Sequence, residues 1–192
     1  MPGHFSEPML YEIIRHQRAE ALVEVAAQIA HIIDREGSQV VVSDAAEGYH
    51  PGHDLCSPLL ASAVARSAQH GSIRHREYLV VGDPRHGNGA DGVLALDDAT
   101  LADKISHSRN YAAASGDVLS QEVQSMFDTY GEEAFRYEGL FPAGSQAPQL
   151  HNGLRYYELR GEERVREGRY SEVLRHQTHV APLEAALHIS LH

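Results

Sequence analysis

The sequence predicts one α/β domain spanning residues 1–192, and three observations lead to this class. The length of 192 residues and the hydrophobic content of 42% suit a single globular core. Short β-branched runs, of which SQVVVSD at 38–44 is the clearest, alternate with amphipathic stretches. Such alternation is typical of a parallel sheet with flanking helices. The number of predicted strands is low for a complete doubly wound sheet.

The spacing of apolar residues defines the elements of the first half. Apolar side chains recur at steps of three and four over Tyr11–Glu36, which predicts one long helix that ends at Gly37. After the SQVVVSD strand, we expect a helix over 54–70 and a second strand over 76–82, REYLVVG. Asp-Pro, Asn-Gly and Asp-Gly pairs then mark a loop over 83–92.

The second half is predicted to be mainly helical. The short strand VLAL leads into a helical stretch that Asp97 or Asp98 caps and Gly116 interrupts. Residues 136–153, RYEGLFPAGSQAPQLHNG, are rich in proline and glycine and are predicted to form a loop. The segment Leu154–Leu187 is expected to be helical in two pieces that hinge near EGRYS.

Composition excludes several classes of partner. The net charge of −11 disfavours binding to nucleic acid or to anionic membranes, since both need basic patches. No apolar run approaches the ~18 residues of a membrane-spanning helix, and no leader segment is visible, so a cytoplasmic protein is expected. One cysteine, Cys56, rules out a disulfide framework and a cysteine-based zinc site. Fourteen histidines favour a search for a His/carboxylate metal site.

The stretch SDAAEGYHPGHDLC at 43–56 is the main candidate site. It follows a strand, and ligands of parallel α/β sheets bind at the carboxyl ends of strands. His50 and His53 flank a Pro-Gly pair, and Asp44 at the strand end is a candidate to orient them. The alternative is a solvated turn in which Asp44 is a turn residue, Asp54 caps the next helix and Glu47 only shapes the loop.

A second His-x-x-His pair lies in RHQTH. His176 and His179 would share one face of a helix, which permits metal binding. We expect a surface helix there instead, because such pairs are common in a histidine-rich chain.

The segment AAEGYHPGHD closely resembles the second metal motif of the PIG-L/LmbE-like family, which reads A-x-E-G-G-H-P-D-H-D. Looser similarity is found in LDDATLADKISHSRNYAAAS, in EEAFRYEGLFPA and in the closing segment from GLRYYELRG onward. The resemblance therefore runs from about Tyr11 to the end of the chain. Members of this family have a Rossmann-like α/β fold and are zinc-dependent hydrolases, mostly N-deacetylases of N-acetylglucosamine-type sugars.

The resemblance implies roles for individual residues. His53 matches the metal-ligand histidine, and His50 matches the histidine that assists at the tetrahedral intermediate. It further implies Zn²⁺ as cofactor, an N-acetylated sugar or glycoconjugate as substrate, and attack of zinc-activated water on the acetamide carbonyl. Gly52 stands where the family commonly has Asp, and Tyr49 replaces its second Gly.

The family's first metal motif, H-P-D-D-E, is not found in this sequence. That motif supplies two zinc ligands and the general base, so no general base is identifiable and the sheet is expected to be incomplete at its N-terminal end. His4 and Glu7 have the spacing of the absent His and Asp and are the candidate substitutes as metal ligands.

The alternative is that residues 1–10 form a disordered arm and that the chain is a non-catalytic binding or interaction module. An exposed sheet edge and apolar face would also favour self-association into a homo-oligomer.

Overall fold

The computed structural model describes residues 6–87 and 89–189. Within these ranges the chain forms seven α-helices and six strands. The helices are α1 (Glu7–Arg15), α2 (Ala19–Glu36), α3 (Pro51–Arg66), α4 (Asp98–Ser115), α5 (Asp117–Tyr130), α6 (Tyr156–Arg166) and α7 (Ala181–Ile189). The strands are β1 (Val40–Asp44), β2 (Arg74–Tyr78), β3 (Gly92–Ala95), β4 (Tyr137–Pro142), β5 (Leu150–His151) and β6 (Leu154–Arg155). None of the helices in the described part of the chain has the length and apolar character needed to cross a membrane.

The sheet confirms the α/β class but is mixed. Its strand order is β1-β2-β4-β3, and β5 and β6 form a separate hairpin. β1 and β2 are parallel, whereas β4 is antiparallel to both of its neighbours, β2 and β3. The expectation of a mostly parallel sheet was therefore wrong for the described strands, because β4 comes from a segment that the sequence analysis assigned to a loop.

Packing of one aromatic ring explains why β4 forms. Phe141 has no exposed surface, and its ring lies so close to Gly87 that a Cβ there would be 2.3 Å from it. Pro142 is the last residue of the strand, where its missing N–H costs little. Burial of Phe141 thus outweighs the turn signals of the surrounding glycines and prolines.

Helices cover one face of the sheet. α3 packs on β1 and β2, and α2 and α7 pack against α3. Val41 of β1 reaches this core. The buried members of this core come from four helices and a π-helical turn, and they are Ile13, Ile14, Leu22, Ala26, Ala30, Ile33, Leu55, Ala63, Val180, Leu183 and Leu187.

The other face of the sheet carries exposed apolar side chains. Because successive residues of a strand point to opposite faces, Val40 and Val42 point away from the face that holds Val41. Along the sheet, the residues that share this face are 39–64% exposed, namely Val40, Val42, Tyr78, Leu94 and Leu140. The homo-oligomer expected from such a face stays a prediction.

The N-terminal region differs from its sequence expectation. The predicted long helix is broken at Gln17, which adopts a left-handed φ of 50° between α1 and α2. The described part of the predicted arm, Glu7–Leu10, belongs to α1, which the Ser6 side chain caps by accepting from the Met9 N–H. Gly116 separates α4 from α5 as predicted, with φ of 112°.

Truncation of Phe141 tests its role in holding β4 in the sheet. We expect Phe141→Ala to lower the free energy of unfolding by about 3–5 kcal/mol, since it removes a fully buried ring. Leu94→Ala, at an apolar side chain that is 64% exposed, should change it by less than about 0.5 kcal/mol. Urea unfolding measures both, and equal losses would contradict the packing described for β4.

Candidate active site

The candidate site lies at the carboxyl end of β1. Asp44 is the last residue of that strand, and α3 begins seven residues later at Pro51 rather than at the predicted 54. Proline suits the first position of a helix, and His50 serves as the N-cap because its Nδ1 accepts from the Gly52 N–H at 3.1 Å. The turn that holds both histidines is therefore the start of α3.

Asp44 and His53 form a direct pair. The Asp44 carboxylate accepts a hydrogen bond from His53 Nδ1, and this bond raises the pKa of His53 above its ordinary value. Burial alone would raise the pKa of Asp44, but hydrogen bonds from His53 and Tyr78 outweigh it and hold that pKa below its usual range. Because Nδ1 is engaged, only Nε2 of His53 is open to a ligand.

His50 packs edge-to-face against His53, with ring centroids 5.1 Å apart. Since its Nδ1 accepts from Gly52, the neutral ring carries its proton on Nε2 and donates to the Tyr11 hydroxyl at 3.0 Å. Burial, followed by the charge of His53, lowers the pKa of His50. His50 is thus a neutral hydrogen-bond donor next to a more basic histidine.

Two further side chains, Tyr78 and Cys56, interact with the Asp44 carboxylate, and the sequence had suggested no role there for either. Tyr78 ends β2 in register with Asp44, and its hydroxyl donates to that carboxylate. Burial and this bond raise the pKa of Tyr78. Burial and then the charge of Asp44 raise the pKa of the Cys56 thiol to about 12, so the thiol stays protonated. The parallel register of β1 and β2 is the signal that could have revealed Tyr78.

Glu47 organises the loop that follows β2. Its buried carboxylate accepts from the backbone N–H groups of Val80, Val81 and Gly82 at 2.6, 3.1 and 2.6 Å. The simple turn role considered for Glu47 was therefore wrong. Glu47 thus connects the loop after β1 to the loop after β2.

Asp54 is a buried structural anion rather than a helix cap. It has no exposed surface, accepts from the Gly48 N–H at 2.9 Å and forms an ion pair with Arg155. Arg155 also donates to His176 Nε2 at 2.8 Å. His176 therefore lies in a π-helical turn against this pair, and the surface helix expected for RHQTH was wrong at that residue.

The described residues do not hold a metal ion by themselves. His4 lies outside the described ranges, and Glu7 is an exposed residue in the first turn of α1 whose charge acts on His50. No group of three or more His, Cys, Asp or Glu side chains in residues 6–87 and 89–189 is arranged to hold a metal. A catalytic zinc ion needs three protein ligands, and His53 offers one.

A cleft of about 470 Å³ opens beside His50. Tyrosines form much of its wall, contributed by α1, the loop before α3, α6 and the segment after α6; they are Tyr11, Tyr49, Tyr156, Tyr157 and Tyr170. Its volume is in the range of small-molecule sites. The sequence analysis missed this cleft, because its walls come from segments that are far apart in the chain.

Comparisons with family models, with curated proteins and with solved structures find no match to this chain. The geometry of the site and the motif that contains His50 and His53 are therefore the observations that bear on its function.

Replacement of Asp44 by Asn tests the pair with His53. The hydrogen bond that His53 donates to Asp44 is the main cause of the raised pKa of His53, so this pKa should fall in Asp44→Asn. NMR titration of the His53 ring measures it. Asp83→Asn, which removes a carboxylate next to the exposed His86, should leave His53 unchanged.

The pair also makes stability depend on pH. Because the pKa of His53 is raised in the folded state, its bond to Asp44 stabilises the fold fully below the ordinary histidine pKa of about 6.5. This stabilisation is lost as the pH rises through the raised pKa. Asp44→Asn should therefore lose more stability at about pH 5.5 than at about pH 9. A loss that is equal at the two pH values, with an unchanged His53 pKa, would show that the two side chains do not interact.

Proposed function

We propose that this chain is a PIG-L/LmbE-like domain that serves hydrolysis of the N-acetyl group of a sugar or glycoconjugate. The observation that carries the proposal is the placement of His50 and His53 side by side at the carboxyl end of β1, with Asp44 bound to His53 Nδ1. Metal-binding histidines usually donate their second ring N–H to a carboxylate in this way. A Rossmann-like strand arrangement, zinc as the metal and a cytoplasmic location belong to the same proposal.

The two histidines have separate roles in this proposal. His53 presents Nε2 as the metal ligand, and Asp44 fixes its ring. His50, held neutral with its proton on Nε2, is suited to donate to an oxyanion that forms on the acetamide oxygen. The Tyr11 hydroxyl now accepts that proton, so substrate has to displace Tyr11 from His50.

The metal requires ligands beyond those in the described ranges. His53 supplies one, and the described residues form no group of three. Zinc bound as in a hydrolase would need at least two more protein ligands. His4 and Glu7 remain the candidates from this chain, and another chain is the other source.

A non-catalytic binding module is the second candidate function. The same absence of a three-ligand group among the described residues favours it. In this case the cleft beside His50 would bind the sugar, and the Asp44–His53 pair, which does not line the cleft, would have a structural role only.

Zinc content distinguishes the two functions. Under the hydrolase proposal, purified protein contains about one zinc ion per chain and releases acetate from N-acetylglucosamine, and His53→Ala loses both. His86→Ala is the control, because that histidine is exposed in a short 3-10 helix between β2 and β3 and its replacement should retain both.

Absence of zinc from the wild-type protein, together with no acetate release in zinc-supplemented buffer, would overturn the hydrolase proposal. Binding of N-acetylglucosamine under those conditions would support the non-catalytic module.

A further inference from the structure

The cleft beside His50 contains a preformed aromatic platform. The rings of Tyr49 and Tyr156 stack in parallel, with centroids 4.9 Å apart and planes 7° apart. Tyr49 precedes His50 in the chain, and the Tyr156 N–H donates to the Gly48 carbonyl at 2.9 Å. The platform is therefore fixed relative to the histidines before any ligand arrives.

One side of the platform is open. Tyr156 keeps 42% of its surface exposed although Tyr49 covers one face of its ring, and Tyr170, which also lines the cleft, is 57% exposed. Tyr157 lines the same cleft, and its hydroxyl is buried without a hydrogen-bond partner among the described residues. Aromatic surface from Tyr156 and Tyr170 is thus exposed to one space.

The charges around the cleft do not select an anion. Each guanidinium group that lines it has a carboxylate partner: Arg15 pairs with Glu172 at 2.6 Å, Arg169 pairs with Glu167 at 3.2 Å, and Arg160 pairs with Glu163. Glu122 also lines the cleft, and its carboxylate further disfavours an anion. A neutral ligand group avoids this repulsion. An uncharged aromatic ring also gains most from the exposed tyrosine faces, since parallel rings add stacking energy to the burial of apolar area.

We infer that the cleft binds a neutral, planar aromatic group of the ligand, stacked on Tyr156 next to His50. The volume of about 470 Å³ exceeds the need of one ring, so the rest of the ligand extends toward His50. If the proposed function holds, this group is the aromatic part of an N-acetylated glycoside. The aromatic site itself does not depend on metal binding or hydrolysis.

Titration calorimetry with matched glycosides tests the inference. Phenyl and methyl N-acetyl-β-glucosaminide differ only in the aromatic ring, and the phenyl compound should bind about tenfold more tightly. Tyr156→Ala should abolish that preference, whereas Tyr156→Phe, which keeps the ring, should retain it. Tyr111→Ala is the control, because Tyr111 is 70% exposed on α4 and does not line the cleft.

A second pair of probes separates this inference from the proposed function. Phenyl and methyl β-glucoside lack the acetamide, and the phenyl preference should persist with them even if zinc binding and acetate release fail. Equal affinities within both pairs, no measurable binding of either phenyl glycoside, or a preference that survives Tyr156→Ala would each overturn the aromatic site. Tyr170 is an exposed residue of the same cleft, so Tyr170→Ala should leave the fold intact. This substitution should weaken the preference for the phenyl over the methyl glycoside.

Discussion

The buried ion pair between Asp54 and Arg155 is the interaction on which the site depends. The two residues are 101 positions apart, and Asp54 has no exposed surface. A buried carboxylate without a partner costs several kcal/mol, so the start of α3 and the start of α6 are held together. Asp54 also accepts from the Gly48 N–H, and the turn that carries His50 and His53 is thereby fixed at both ends. The same pair sets the wall of the tyrosine cleft, because Tyr156 directly follows Arg155.

Glu47 makes the corresponding connection toward the sheet. Its three bonds to backbone N–H groups tie the loop after β1 to the segment after β2, while Tyr78 at the end of β2 donates to Asp44. The Asp44–His53 pair is consequently supported from β2, from α3 and from the loop between β1 and α3. The positions of both side chains are therefore set by contacts within the described part of the chain. In the function that we propose, further ligands complete this arrangement as a metal site; in the second candidate function, it serves a bound ligand without metal.

The sequence predicted the local parts of this arrangement better than the long-range parts. A β-branched run predicted β1, a glycine predicted the break at Gly116, and the end of the strand predicted the position of the His50–His53 turn. All three are present in the structure. β4 was missed because its glycines and proline read as turn signals, whereas burial of Phe141 decides the outcome. For Glu47 and Asp54 the sequence offered turn and cap roles as the alternative, since nothing local shows that Val80 and Arg155 lie 33 and 101 residues away from them. The tyrosine cleft was missed for the same reason.

A double-mutant cycle on the buried ion pair tests this account most directly. Asp54→Asn and Arg155→Met each remove one charge at similar size, and each should lower the free energy of unfolding by about 3–5 kcal/mol, because the remaining charge is left buried and unpaired. The double variant should lose less than the sum of the two, by at least about 1 kcal/mol. Losses that simply add, or single losses below about 1 kcal/mol, would show that the pair does not hold the site together.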